Sequence, residues 1–142
     1  MSWMMRDRAV DAVLAVLVLF DALLVLWAFA APAPWFETWH QSLAPSPGAE
    51  LFLRRCGANW AGFLLFQALA LRWWKTRPHW LAVAAGLRLS DIFTDPVYVL
   101  TAPDPTWMAW LGLPAAGLLN LALGGYFLAA YHGRVAHLGA TT

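Results

Sequence analysis

The sequence predicts an all-α integral membrane protein, a four-transmembrane-helix up-down bundle with N and C termini cytoplasmic, and three observations lead there. The composition is 61% hydrophobic and only 12% charged, against soluble averages of roughly 45–50% and 25%. Apolar windows of about 20 residues, the length that spans a bilayer's hydrocarbon, recur four times. Basic residues and tryptophans sort to the ends of those windows, as positive-inside loops and aromatic belts do. At 142 residues the chain is one membrane domain, 1–142, too small to hide so much apolar surface in a soluble core.

The first window is Val10–Ala31. Its basic start and the small residues Ala28-Phe29-Ala30 resemble a secretory signal. The apolar stretch nevertheless exceeds the usual length of about 7–15 residues, and Asp11 and Asp21 interrupt it. The helix is therefore expected to be retained. The proline-rich segment from Ala31-Pro32-Ala33-Pro34 to Pro45-Ser46-Pro47-Gly48 ends it, because proline cannot continue a helix. Within this outer loop, 32–50, Trp35 and Trp39 stand four apart with Glu37 opposite. That is the spacing of a short interfacial helix, although the plainer and favoured expectation is an anchoring loop.

The second window, Leu51–Leu71, stops at Arg72-Trp73-Trp74-Lys75-Thr76-Arg77-Pro78, and the third is His79–Leu100. Pro96 lies inside that third window, where it removes a backbone donor and disfavours helical geometry at Asp95. The helix is expected to kink or end there. Ala102-Pro103-Asp104-Pro105 leads to the fourth window, Trp107–Tyr131. Arg6 and Arg8, then Arg72, Lys75 and Arg77, then Arg134 fall on one side, which the positive-inside rule makes cytoplasmic. Arg54 and Arg55 at the other mouth weaken that asymmetry slightly. Trp73, Trp74 and Trp80 form one belt, and Trp27, Trp35, Trp39, Trp107 and Trp110 the other. The expected location is a membrane, specifically a bacterial inner (cytoplasmic) membrane.

Ionisable residues inside these windows are the best handle on function. A charged side chain costs about 2.5–3.5 kcal/mol at a helix centre on insertion scales, so Asp21, Arg88, Asp91 and Asp95 should face one another or a wet cavity. Arg88, Asp91 and Asp95 share a helical stripe, which predicts a direct Arg88–Asp91 pair. Counted from the cytoplasmic end at about 1.5 Å per residue, Asp21 and Arg88 lie roughly 15 Å deep, Asp91 roughly 20 Å, and Asp95 and Arg55 roughly 25 Å. Asn59 and Asn120 fall in the same layer. The predicted polar layer is thus Asp21, Arg55, Asn59, Arg88, Asp91, Asp95 and Asn120. If the layer only fixes helix register, Arg88 would pair with Asp91 and Asp21, and Asp95 with Arg54 or Arg55; if it binds or reacts, Asp21 is the least obviously paired and the best candidate to titrate.

Gly117, Asn120 and Gly124 share a face of the fourth helix, and Ala58 and Gly62 one of the second. Such faces let helices approach closely. The layer is expected to bind, to react, or only to fix helix register.

Several function classes lose support. A net charge of +1 without a basic run argues against nucleic acid. The lone Cys56 allows no intrachain disulfide or CxxC pair. No HExxH, GxSxG, P-loop or GxGxxG spacing occurs. His40, His79, His132 and His137 lie outside the span interiors, where a membrane haem would need its ligands. The pair His79 and His132 reads as ordinary interfacial histidine, so no metal site is predicted, and a cofactor stays unassigned.

In size and topology the chain resembles two families of small four-helix membrane proteins, the DoxX-like proteins and the EXPERA group. The resemblance carries no residue roles. The Asp95-Pro96 pair looks like the acidic-proline element of the second group, but it lies in the third helix rather than between the first two.

The leading expectation is a small non-catalytic membrane protein among membrane lipids. It would be a subunit or assembly factor of a larger complex, or a binder of a lipid-like molecule, and its expected partners besides lipids are other membrane subunits or further copies of itself. Two alternatives are kept. One is an intramembrane, isomerase-like enzyme using Asp21 or Asp91 for proton exchange and Arg88 to hold a carboxylate. The other is an oligomeric proton or ion transporter.

Overall fold

Five helices and no strand make up the described residues, 3–41 and 45–139, of the computed structural model. The first helix, α1 (Trp3–Ala30), holds neither glycine nor proline and stops two residues before Pro32. Ala31, ahead of that proline, is driven out of helical geometry to φ −138°, ψ 62°. Pro32 then serves as the first residue of α2 (Pro32–Trp39), where a missing N–H is harmless. The 35–39 stretch favoured as an anchoring loop is therefore helical. Two prolines that break α1 also start α2, and Trp35 buries itself against α1 and α3. Residues 42–44 of the predicted loop lie outside the described residues.

A Ser46 cap opens α3 (Pro47–Trp73), its hydroxyl accepting from the Ala49 N–H at 3.1 Å. After the tight 73–78 connection comes α4 (His79–Thr101), which runs straight through Pro96 as a helix rather than ending there. Thr106 caps α5 (Trp107–Gly139) by accepting from the Ala109 N–H at 3.1 Å. Between α4 and α5, Asp104 takes a left-handed φ of 47°, a conformation Asp tolerates better than most residues.

The four long helices form two pairs. In one, α1 lies on α3, and in the other α4 lies on α5. The pairs join at one end through a shared core of Leu14, Leu17, Ala70, Trp74, Leu81 and Phe127. Polar ties reinforce that end. Asp11 accepts from the Trp74 indole at 2.8 Å and pairs with Lys75 at 2.5 Å, and Arg134 donates to the Lys75 carbonyl at 3.0 Å.

At the opposite end α2 forms a cover. Trp35 sits among Trp27, Trp39 and Trp60 with ring centres 5.0–6.0 Å apart. The chain after α2 pairs with the α4–α5 loop, Gln41 N–H donating to the Asp104 carbonyl and Thr106 N–H to the Trp39 carbonyl, both at 2.9 Å.

The outward surfaces are apolar. Leu19, Leu23 and Leu26 of α1, Phe93 and Leu100 of α4, and Leu111 and Leu118 of α5 are exposed. Two helices, α1 and α5, are long and apolar enough to cross a membrane. Although α3 and α4, with 27 and 23 residues, have the length, their apolar character is diluted. Arg54, Arg55 and Arg72 dilute α3, while Arg88, Asp91 and Asp95 dilute α4.

Candidate functional site: a buried triad and an open seam

Three helices each send one polar side chain into the middle of the bundle. Asp21 comes from α1, Gln67 from α3 and Arg88 from α4, and all three are buried. The Arg88 guanidinium donates from Nη2 to Asp21 Oδ2 and to Gln67 Oε1, the latter at 2.5 Å. Gln67 Nε2 donates in turn to the same Asp21 oxygen and to its own helix at the Phe63 carbonyl, 3.2 Å away. A carboxylate, a guanidinium and an amide thereby bond to one another through Arg88 Nη2, the buried Arg88 Nε has no partner among the described residues, and the formal charges sum to zero.

Of the two partners expected for Arg88 in a register-fixing network, Asp21 is engaged and Asp91 is not, while Asp21, expected to be the least paired if the layer is functional, accepts from two donors. Gln67 was missed because depth counting from the end of its window places it shallower than Asp21 and Arg88. The Asp11–Trp74 bond sets the real register of α1 on α3. Counted from it, Asp21 and Gln67 lie about 15 Å and about 10 Å along their helices, a gap their side chains close.

The rest of the predicted layer is distributed differently. Asn120 is buried on α5, on the glycine face that meets α4. Arg54, offered as a partner for Asp95, instead pairs with Glu50 at 3.7 Å and reaches the Phe29 carbonyl at 3.5 Å. Arg55 and Asn59 are exposed on α3, and Asp91 and Asp95 are half-buried on α4.

Those last four residues are related by helical periodicity. Arg55, Asn59, Gly62, Phe66 and Trp73 follow one stripe of α3, and Trp80, Ala84, Asp91, Asp95 and Tyr98 follow one stripe of α4. The stripes meet where the helices join. Trp80 packs on Trp73 with ring centres 5.9 Å apart and on Phe66 at 6.4 Å.

At the α2 end the α4 stripe is tied down again by His40. Its Nδ1 lies 3.1 Å from the Pro103 carbonyl, so it must carry the proton, and in the neutral ring Nε2 then accepts from the Tyr98 hydroxyl. Between these two fastenings the α3–α4 seam is open. Nothing lies within 4 Å of the position a side chain on Gly62 would take. Among the described residues, neither the Asp91 nor the Asp95 carboxylate makes a hydrogen bond or an ion pair, and Arg55 pairs with neither.

The seam carboxylates do not line the apolar crevices of the surface. One, of about 310 Å³, lies between α1 and α5 against Val13, Val16, Leu17 and Leu123, and another, of about 370 Å³, lies around Pro96 and Pro114. Chemically, the triad is closed and neutral, whereas the seam offers two acceptors, one cation and one amide to whatever reaches it. Comparison with family models, with curated proteins and with solved structures finds no match.

Proposed function

We propose that this chain is a four-span integral membrane protein, both termini cytoplasmic, that works by association rather than catalysis, as a small subunit or assembly factor docked through its open α3–α4 seam. The observation that carries the reading is the pair of half-buried, unpaired carboxylates Asp91 and Asp95 on a helix that also exposes Val83, Phe93, Val97 and Leu100. In lipid such groups cost about 2.5–3.5 kcal/mol each near a helix centre, so a partner that supplies donors or a cation gains what the lone chain forgoes.

Membrane residence is supported by the exposed leucines and phenylalanines, which a water-soluble domain of this size would cover. It is also supported by α1 and α5, and by lengths of about 40 Å for α3 and about 34 Å for α4 at 1.5 Å per residue, against a hydrocarbon core of about 30 Å. Orientation follows from the basic residues at 6–8, 72–77 and 134.

A lipid-like ligand is the weaker form of the same reading, because the two crevices described above are lined by apolar residues, with neither Asp91 nor Asp95 among them. An enzyme using Asp21 as its proton carrier fits less well still, since two donors already occupy that carboxylate.

The test is gentle extraction with native lipid, followed by intact-mass and small-molecule analysis. A stoichiometric companion is expected with the wild-type chain, and it should be lost from Asp91→Ala/Asp95→Ala. A companion-free monomer would overturn the reading, as would a companion retained by the double variant.

A further inference from the structure

The two walls of the seam carry opposite charge, the cation of α3 about one helical turn beyond the anions of α4. Trp73 and Trp80 pack at a 45° tilt with ring centres 5.9 Å apart and give α3 and α4 a common level. Counted from there at about 1.5 Å per residue, Asn59 stands about 21 Å and Arg55 about 27 Å along α3, and Asp91 about 16 Å and Asp95 about 22 Å along α4. Asn59 therefore falls between the levels of the two aspartates, and Arg55 stands about one helical turn above Asp95.

We infer that the occupant of the seam is a second copy of this chain, seated face to face about a twofold axis along the membrane normal, with Arg55 of each copy paired to Asp95 of the other. The inference rests on the association reading above and names its partner. An axis along the normal keeps every residue at its own depth, so Asn59 of one copy stands level with the aspartates of the other, and Arg55 reaches Asp95 by extending its long side chain about one turn toward it. The face is self-complementary, as a twofold interface must be, because α3 carries the cation and α4 the anions.

Packing favours the same contact. Ala58 is exposed beside Asn59, and Gly62, one turn further, has open space above it. A small-xxx-small pair of this kind lets the backbone of a second helix come close. It also brings Asn59, an amide able both to donate and to accept, toward Asp91 and Asp95 of the second copy. Each copy thus supplies donors that the other's carboxylates lack.

Charge reversal separates this arrangement from a pair made within one chain. Full-length wild-type protein in lipid nanodiscs or liposomes, followed by subunit photobleaching or energy transfer, should be dimeric. Arg55→Asp alone and Asp95→Arg alone each set like charges against each other twice, and should weaken self-association by more than about tenfold. Mixing the two variants restores both pairs in the heterodimer, so differently tagged Arg55→Asp and Asp95→Arg chains should co-purify when neither binds itself.

Restoration also demonstrates that both variants fold. Arg55→Gln, at an exposed position, provides a milder change expected to weaken the dimer in the same direction. Unchanged self-association of all three variants, or no recovery on mixing while the dimer is weakened by Arg55→Gln, overturns the inference. A wild-type chain that binds a different protein or lipid at the seam overturns the second copy alone, and a monomer with nothing bound overturns the association reading with it.

Discussion

Arg88 is a residue that makes sense only with its partners. Alone on α4 it would be a buried guanidinium with nothing to neutralise it, and the bundle places Asp21 and Gln67 within hydrogen-bond reach. Removing one member of a buried pair strands the other, at about 3–5 kcal/mol, whereas replacing the whole pair by apolar groups is often close to neutral. Arg88→Leu and Asp21→Leu should each destabilise by that amount in detergent unfolding, and Asp21→Leu/Arg88→Leu by far less than the sum. Strictly additive losses would mean that the two residues do not act together. The sequence marks both residues as out of place among apolar neighbours and offers Arg88 both Asp91 and Asp21, without deciding between them. Spacing along one helix is the only adjacency a sequence displays directly. Gln67 escapes notice for a related reason, because a depth counted from the end of its own window carries no information on how far α3 is shifted against α1.

The same contrast holds for the helices. Pro96 leaves the Ile92 carbonyl without its helical donor, and α4 nevertheless continues because α5 packs closely there. A side-chain carbon on Gly117 would sit 3.5 Å from that carbonyl and 3.8 Å from the proline ring. One helical repeat along, the fit is tighter, and a methyl on Gly124 would fall 2.6 Å from Leu89 Cγ and Cδ2. Gly124→Ala is thus expected to lose about 1–3 kcal/mol through overpacking. Gly125→Ala, next door and facing open space, should be neutral or gain up to about 1 kcal/mol by restricting the unfolded chain. Thermal unfolding of the two variants side by side decides it, and equal effects would contradict the close α4–α5 contact. The shared face of Gly117, Asn120 and Gly124 is legible in the sequence. The equivalent-looking Ala58 and Gly62 are left exposed, because α3 meets α1 through Gly57 instead, where a side chain would touch Phe29 at 3.1 Å.

At the scale of the whole molecule, two helix pairs share a core at one end and a tryptophan-lined cover at the other, with the seam open between. If the basic ends face the cytoplasm, Thr76 in the 73–78 connection is inside and Ser46 before α3 is outside. In a Cys56→Ala background, Ser46→Cys should react with a membrane-impermeant thiol reagent added to intact cells. Thr76→Cys should react only after permeabilisation, and the opposite pattern would invert the proposed topology. The sequence by itself determined the all-α class, six of the eight ends of the long helices to within four residues, and which polar residues sit among apolar ones, although α1 starts seven residues before its window and α5 ends eight after its own. Composition, proline placement and hydrophobic run length are local properties, and they suffice for that. Only the tertiary structure decided that the predicted layer divides, with Asp21 and Arg88 closed into a neutral triad with Gln67 and with Arg55, Asn59, Asp91 and Asp95 left along an open seam. That division depends on the rotation and vertical register of each helix against its neighbours. Contacts such as Asp11 with Trp74, Trp73 with Trp80 and Leu89 over Gly124 set them, joining residues that the sequence keeps far apart.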